Sequence, residues 1–384
     1  MNFEFATANR IIFGNGTLTH VAPLAKEVAS KALVVFSESI DRANPLLEQL
    51  GEHNIEYITF QVKHEPTTGL IGQALSMTRE AGIDLVIGIG GGSVIDAGKA
   101  IAALLTNPGD VLDYLEVIGA GRKIANRPLP CFAVPTTAGT GAEVTKNAVL
   151  LSKTHNVKVS LRHNLMIPDL AVIDPELTVS MPPAVTASTG LDALTQLIEP
   201  FVSNKANPIT DGLCREGLKR AGRSLLNAYR DGENRAARED MAIASLFGGL
   251  ALANAKLGAV HGFAGPLGGM FHAPHGAICA RLLPFVLETN VRALQKREPK
   301  SITLQRFGEL ARIVTENPNA TVSESITWIQ DLCAKLAIPP LSEYGMTSKD
   351  IPDAVEKAKN ASSMKGNPIL LTEEELADIL KRAL

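Results

Sequence analysis

The stretch VHGFAGPLGGMFHAPHG, residues 260–276, carries three of the chain's eight histidines: His261, His272 and His275. Neutral imidazole is the commonest protein ligand for a divalent transition metal. Upstream, in GLDALTQLIEPF, Asp192 and Gln196 stand four residues apart. On a helix that spacing puts both side chains on one face. Leu191, Leu194, Leu197 and Ile198 surround them. A carboxylate among leucines must be paired, hydrogen-bonded or bound to a metal. These residues suggest a centre built from Asp192, His261 and His275, with Gln196 as a weak fourth ligand or a hydrogen-bond partner. Two imidazoles, a carboxylate and an amide oxygen suit Fe(II) or Zn(II), and an open position would make the ion a Lewis acid. A plainer reading has Asp192 capping a helix after SMPP and the histidines as loop residues with satisfied hydrogen bonds. Spacing alone does not separate the two.

A second group of residues suggests nucleotide chemistry. In GIGGGSVIDAGKAIAAL, residues 88–104, Gly90, Gly91 and Gly92 let backbone approach a ligand. Ser93 can donate a hydroxyl, and the helix that follows presents free N–H groups to phosphate. Asp96 and Lys99 fall early in that helix. The run lacks the usual three-glycine dinucleotide spacing and follows the third main strand instead of the first. A tight strand-to-helix junction is the alternative. CFAVPTTAGTGAEVTKNAVL, residues 131–150, adds hydroxyls at Thr136, Thr137, Thr140 and Thr145 and glycines at 139 and 141. Two such loops after apolar strands read as opposite walls of one nucleotide cleft at the carboxyl ends of the strands. Lys158, in VKVSL, could also face a ligand, although an exposed strand lysine is the default.

The elements that must hold these residues change character along the chain. Two short strands, Phe3–Phe5 and Ile11–Phe13, lead into helix 18–29. Then come strand ALVVF, helix 45–53, strand IEYITF, helix 67–81 and strand IDLVIGIG. Strand–helix alternation at this spacing predicts a parallel sheet with covered faces. Residues 166–183, dense in proline and aspartate, read as a hinge. Beyond Pro183 the apolar period is helical: residues 186–202, 208–231, 235–257, 283–290, 304–315, 322–335, 349–361 and 372–383. Thr372 with Glu375 forms a capping box. PLGGMFHAPHG reads as a loop, with Pro284 starting the next helix. The expected organisation is an α/β nucleotide-binding domain over 1–182 and an all-helical domain over 183–384 that carries the metal and substrate sites.

Composition narrows the function classes. A chain of 384 residues exceeds one comfortable core. A net charge of -3 and 4% aromatic content give no polyanion-binding surface and no stacking platform for bases, so nucleic acid is not an expected partner. No apolar run is long enough to span a bilayer. Cys131, Cys214, Cys279 and Cys333 are scattered and read as reduced core thiols, not a disulfide scaffold. A cytoplasmic enzyme is expected.

At GGGSVIDAGK, PTTAGTGAEVT, the GLDALT helix and VHGFAGPLGG…PHG, the chain resembles the iron-containing, or group III, alcohol dehydrogenase superfamily. The resemblance runs from residue 10 to the C-terminus. It implies NAD(P)-linked interconversion of a small alcohol with its aldehyde or ketone, a metal between an α/β domain and a helical domain, and a homodimer. The implied ligands are Asp192, His261 and His275, binding Fe2+ in first place and Zn2+ in second. The family's first histidine ligand falls at Gln196, a departure. Gly265 is another, where many members carry a histidine near the substrate. His272 could partly replace it as a catalytic residue, or be a surface loop histidine. A family aspartate that selects NAD falls at Ser37; its loss should admit NADP, with Glu38 favouring NAD and Arg42 favouring NADP. The alternatives are a reductase of keto acids similar to maleylacetate reductases, or a nucleotide-binding protein without catalysis.

Overall fold

The structure is a computed structural model that describes residues 2–37, 39–155 and 157–384. Glu38 lies outside the described residues. The chain clusters into two compact units. One comprises Thr7–Thr137 and Gly141–Val179; the other comprises residues 2–6, Ala138–Thr140 and Ser180–Leu384. A single cut between 182 and 183 does not describe this division.

The first unit is α/β. In chain order its elements are β1 (Arg10–Phe13), α1 (Val21–Val28), β2 (Lys31–Phe36), α2 (Asn44–Glu52), β3 (Glu56–Gln61) and α3 (Thr68–Thr78). Then follow β4 (Leu85–Gly90), α4 (Gly92–Thr106), the single turn α5 (Val111–Tyr114), β5 (Cys131–Pro135), β6 (Asn147–Ser152), β7 (Val157–Arg162) and β8 (Leu170–Ile173). Among the described residues, six strands form one sheet in the order β1-β8-β5-β4-β2-β3, with every pairing parallel. β6 and β7 make a separate antiparallel hairpin. β4 is buried at all six positions and β5 at all five, as strands covered on both faces require. The chain after β2 moves to β3 on one side, and the chain after β4 moves to β5 on the other. Neighbouring carboxyl ends of β2, β4 and β5 therefore lie at the reversal point of the sheet. The register sets Phe36 beside Ile89 and Gly90 beside Pro135.

Two expectations here are corrected. Residues 166–183 are not only a hinge, because they contain β8, which sits inside the sheet between β1 and β5. Phe3–Phe5 is not a strand. The side chain of Asn254 takes both the N–H and the C=O of Ala6, at 2.7 and 2.9 Å, and so fixes residues 2–6 to the helical unit.

The second unit is helical: α6 (Pro183–Val202), α7 (Pro208–Arg230), α8 (Arg235–Ala255), α9 (Ala259–Phe271) and α10 (His275–Arg297), then α11 (Ile302–Thr315), α12 (Val322–Lys335), α13 (Ile351–Lys359) and α14 (Glu373–Ala383). Among its described residues no strand occurs. α6 is its axis, buried at every position from Gly190 to Val202. Of the segment expected as a loop, residues 266–271 belong to α9, with Pro266 inside it, residues 272–274 stay non-helical, and His275 and Gly276 open α10. Packing decides this: Val260, Phe263, Ala264 and Leu267 are almost fully buried, and that burial outweighs the poor propensity of proline and glycine. Pro284 likewise sits within α10. No single helix among the described residues is long and apolar enough to cross a membrane.

Candidate metal centre and nucleotide loops

Three helices bring the metal-type residues together. Asp192 and Gln196 face one way from the middle of α6; His261 lies in the first turn of α9, and His275 opens α10. Asp192 is therefore no helix cap, and neither imidazole is a loop side chain. The close approach of α10 to α6 depends on Gly276, where an added Cβ would stand 2.5 Å from the carbonyl oxygen of Ser188. That contact seats His275 against the helix that carries Asp192.

The donor atoms converge. Asp192 Oδ1 lies 3.3 Å from His261 Nε2 and 3.8 Å from His275 Nε2. Cys279, one turn after His275, places its Sγ 3.8 Å from His261 Nε2 and 3.7 Å from His275 Nε2. One ligand-type atom from each of Asp192, His261, His275 and Cys279 lies within 4.8 Å of all the others. The Gln196 Nε2 donates to Asp192 Oδ2 at 2.9 Å, directly and not through water. Asp192 Oδ1, misaligned for a hydrogen bond to His261, and Gln196 Oε1 are both buried without a hydrogen-bond partner. Two orphaned oxygens beside two imidazole nitrogens fit a bound cation, since such atoms carry an unmet desolvation penalty otherwise. Asp192 is 1% exposed, whereas the His275 side chain is 38% exposed, so the cluster reaches solvent on the His275 side.

His261 is oriented from behind. Its Nδ1 lies 2.7 Å from Glu199 Oε2, and Glu199 Oε1 accepts the Val260 N–H at 2.7 Å. Burial alone would raise the Asp192 carboxyl, but the charges of His275 and His261 and the amide of Gln196 outweigh it and hold the group below its usual value. Burial would lower His261; the Cys279 sulfur, Asp192 and Glu199 outweigh it and push the imidazole well above its ordinary value. His275 is raised against burial by the Cys279 sulfur and Asp192.

Sequence reasoning missed Glu199 and Cys279 as members of this cluster. Glu199 was visible as the third polar residue on one face of an apolar helix, seven after Asp192 and three after Gln196. Cys279 carries in sequence only the signal of a core thiol. His272 is not in the cluster: it is exposed, with a left-handed φ of 52° at the end of α9. Gly265 leaves open space, with nothing within 4 Å of a Cβ built there.

The nucleotide-type residues divide into two sets. Ser37 follows β2, Gly90 to Ser93 join β4 to α4, and Thr136 and Thr137 follow β5. The Thr136 N–H donates to the Gly90 carbonyl at 2.9 Å, so these loops are clasped side by side. Gly91, Gly92, Ser93, Thr137 and Thr140 are half-buried. Gly91 caps α4 without any side chain, which leaves the first N–H groups of the helix to an outside acceptor.

The other set is corrected. The Lys99 ammonium is fully buried and bonds to the carbonyls of Ala142 and Asn147 and the hydroxyl of Thr145, with Asp96 Oδ1 at 2.9 Å. An ammonium has three donors, and the chain itself takes them all. Asp96 Oδ2 accepts the Val149 N–H. Thr145 is engaged by Lys99 and Ala142. Lys158 pairs with Glu65 at 2.6 Å, its side chain only 5% exposed. These four are engaged by the chain itself and brace the loops from within.

Comparison with known proteins agrees with this architecture. The family model for iron-containing alcohol dehydrogenases matches residues 8–175. The model for the C-terminal part of the Fe-containing alcohol dehydrogenase family matches residues 186–384. The chain belongs to the iron-containing alcohol dehydrogenase family. It is 35% identical to alcohol dehydrogenase 4 of Saccharomyces cerevisiae, over 97% of this chain and 96% of the relative. It is 34% identical to choline dehydrogenase of Bacillus subtilis, over 99% and 94%. The crystal structure of a 1,3-propanediol oxidoreductase is similar with a TM-score of 0.92 at 32% identity, covering 100% of both chains. An alcohol dehydrogenase from Oenococcus oeni gives 0.91 at 31%, again over both whole chains. The chain is thus an alcohol dehydrogenase, a metal-dependent oxidoreductase of a family that uses NAD(P).

Proposed function

We propose that Asp192, His261 and His275 hold the divalent metal, and that Ser37, Gly90–Ser93, Thr136 and Thr137 line the site for NAD or NADP. The observation that carries the reading is the convergence of four ligand-type atoms within 4.8 Å beside two buried oxygens without partners. When bound, the metal supplies Lewis acidity to the oxygen of a small alcohol or of its aldehyde or ketone, and the nicotinamide supplies the hydride chemistry at the adjacent carbon. A carboxylate and two imidazoles suit Fe2+ and Zn2+ alike.

The chain's own residues do the positioning. Glu199 keeps the His261 proton on Nδ1 and leaves Nε2 as the free donor. Gln196 holds Asp192 by one oxygen and leaves the other available. Burial of Asp192 and His261 excludes water from one side of the centre, and partial exposure of His275 leaves the other side to substrate. At the reversal point of the sheet, Ser37 carries no charge to repel a 2′-phosphate, which supports acceptance of NADP beside NAD. The family resemblance supports a homodimer, which light scattering across micromolar concentrations checks.

The test is dialysis against a chelator, elemental analysis, and add-back of Fe2+ or Zn2+, with alcohol-dependent reduction of NAD and NADP as readout. Turnover should vanish with the metal and return with one equivalent. A protein that holds no stoichiometric divalent metal and keeps full turnover after chelation sinks the reading. Fluorescence titration with NADH and NADPH decides the cofactor.

A further inference from the structure

We propose that Cys279 is a ligand of this centre, so that the donor set is Asp192, His261, His275 and the Cys279 thiolate, and that this set favours zinc over iron(II). The inference rests on the metal site proposed above and adds a ligand to it. α10 begins at His275, so Cys279 lies one turn further on the same face. Its Sγ is nearly equidistant from the two imidazole nitrogens, at 3.8 and 3.7 Å, and Asp192 Oδ1 stands opposite at 3.3 and 3.8 Å from the same nitrogens. Ligand bonds of about 2.3 Å for sulfur and about 2.0–2.2 Å for nitrogen and oxygen give a tetrahedron with donor–donor edges of roughly 3.3–3.6 Å. Four of the six edges span 3.3–3.8 Å, and the four ligand-type atoms all lie within 4.8 Å of one another, a spread that modest side-chain adjustment brings onto one ion. Those separations allow sulfur hydrogen bonds to the two imidazoles and equally suit donors arranged around one ion.

Charge balance points the same way. Of the atoms that could touch the ion only Asp192 belongs to a carboxylate, since Glu199 stands behind the His261 ring at Nδ1, in a site where Asp192 is 1% and His261 8% exposed. A Cys279 thiolate would place a second negative charge directly on the ion. An amide stands at position 196, and its Nε2 is already committed to Asp192. The thiolate is the strong fourth donor that Gln196 does not provide. Sulfur is a soft ligand and shifts preference toward zinc.

The test uses the full chain stripped by chelator and titrated with Co2+ under anaerobic conditions. Wild type should take up one equivalent and show thiolate-to-cobalt charge-transfer absorption in the near ultraviolet. The other thiols do not confuse the signal: burial pushes Cys131 and Cys333 each up to about 12, and drives Cys214 upward as well. Cys279→Ser, nearly isosteric, and Cys279→Ala should both lose the band and bind zinc at least about 100-fold more weakly, the upper end of what a lost supporting group costs. Gln196→Ala should keep the band. From an equimolar mixture of Zn2+ and Fe2+ the wild type should retain zinc. Stoichiometric cobalt without the band, or a band that survives Cys279→Ser, overturns the ligand and leaves the metal site standing. Failure to bind cobalt at all overturns both.

Discussion

Glu199 and His261 meet through a short contact, 2.7 Å from Oε2 to Nδ1, between two side chains that are each more than nine-tenths buried. The carboxylate is held in turn by the Val260 N–H on the helix that carries the histidine. The pair therefore fixes ring orientation and tautomer together, because an ionised carboxylate can only accept. With Nε2 given to a metal, the remaining ring proton sits on Nδ1, where the carboxylate accepts it.

Glu199→Gln tests that arrangement. Its amide can donate to Nδ1, which moves the ring proton to Nε2, where a ligand needs its lone pair. Metal affinity should fall about 10–100-fold. Competition with a coloured chelator measures this, and unchanged affinity would contradict the orienting role.

Glu143 gives a pH dependence that is independent of any metal. Burial pushes its carboxyl up to about 7 from 4.5, against the weaker opposing effects of a backbone hydrogen bond and the Lys99 charge. The folded chain then keeps a proton that the unfolded chain loses first. That contribution to stability is fully present below pH 4.5 and is lost as pH rises through about 7. Glu143→Gln should remove it, making the variant more stable than wild type at pH 8 by up to about 3 kcal/mol. Urea unfolding of both proteins at pH 5 and pH 8 checks the sign; a difference that does not change with pH rules it out.

Lys99→Met should destabilise the α/β unit by about 3–5 kcal/mol, the usual result of removing one partner from a buried ionic network. Asp96 and the carbonyls of Ala142 and Asn147 would keep their burial and lose their donor. A denaturation midpoint equal to wild type would show that the lysine is dispensable to the fold.

Neighbouring glycines should behave differently. A Cβ at Gly91 would meet Thr137 Cγ2 at 3.4 Å, an ordinary contact, so Gly91→Ala should fold. Gly91→Val should also fold but fill the approach to the start of α4, raising the dissociation constants of NADH and NADPH at least about 10-fold, or about 1.4 kcal/mol. At Gly90 a Cβ would stand 2.6 Å from Val94, so Gly90→Ala should lose stability itself. Fluorescence titration alongside thermal unfolding separates the two, and unchanged titrations for Gly91→Val would count against the cofactor loop.

The parallel sheet was legible because its strands are apolar runs such as ALVVF and LVIGIG, which need no partner to be recognised. The start of α10 was not. Pro284 marks a helix start in sequence, whereas the packed helix begins nine residues earlier at His275 and absorbs the proline. Without that start, the four-residue interval from His275 to Cys279 has no meaning as a helix face. α9 was hidden in the same way, since Pro266 and its glycines argue locally for a loop and only burial of Val260, Phe263 and Leu267 argues otherwise. Lys99 and Lys158 illustrate the opposite error. Their charge suggests a ligand, but apart from Asp96, three residues before Lys99, their acceptors come from residues far along the chain that no local pattern reveals.

The pairing of β1 with β8 has a consequence for the newborn chain. Arg10 sits beside Leu170, and β1 ends the sheet, so among the described residues its only strand neighbour is made 160 residues later. At about 5–20 residues per second of synthesis, Ile11, Ile12 and Phe13 wait roughly 10–30 seconds outside the ribosome with an unpaired backbone. The first strand translated is the last one docked. During that interval it is a sticky edge, and yield in the cell should depend on chaperones that bind extended apolar segments early in translation.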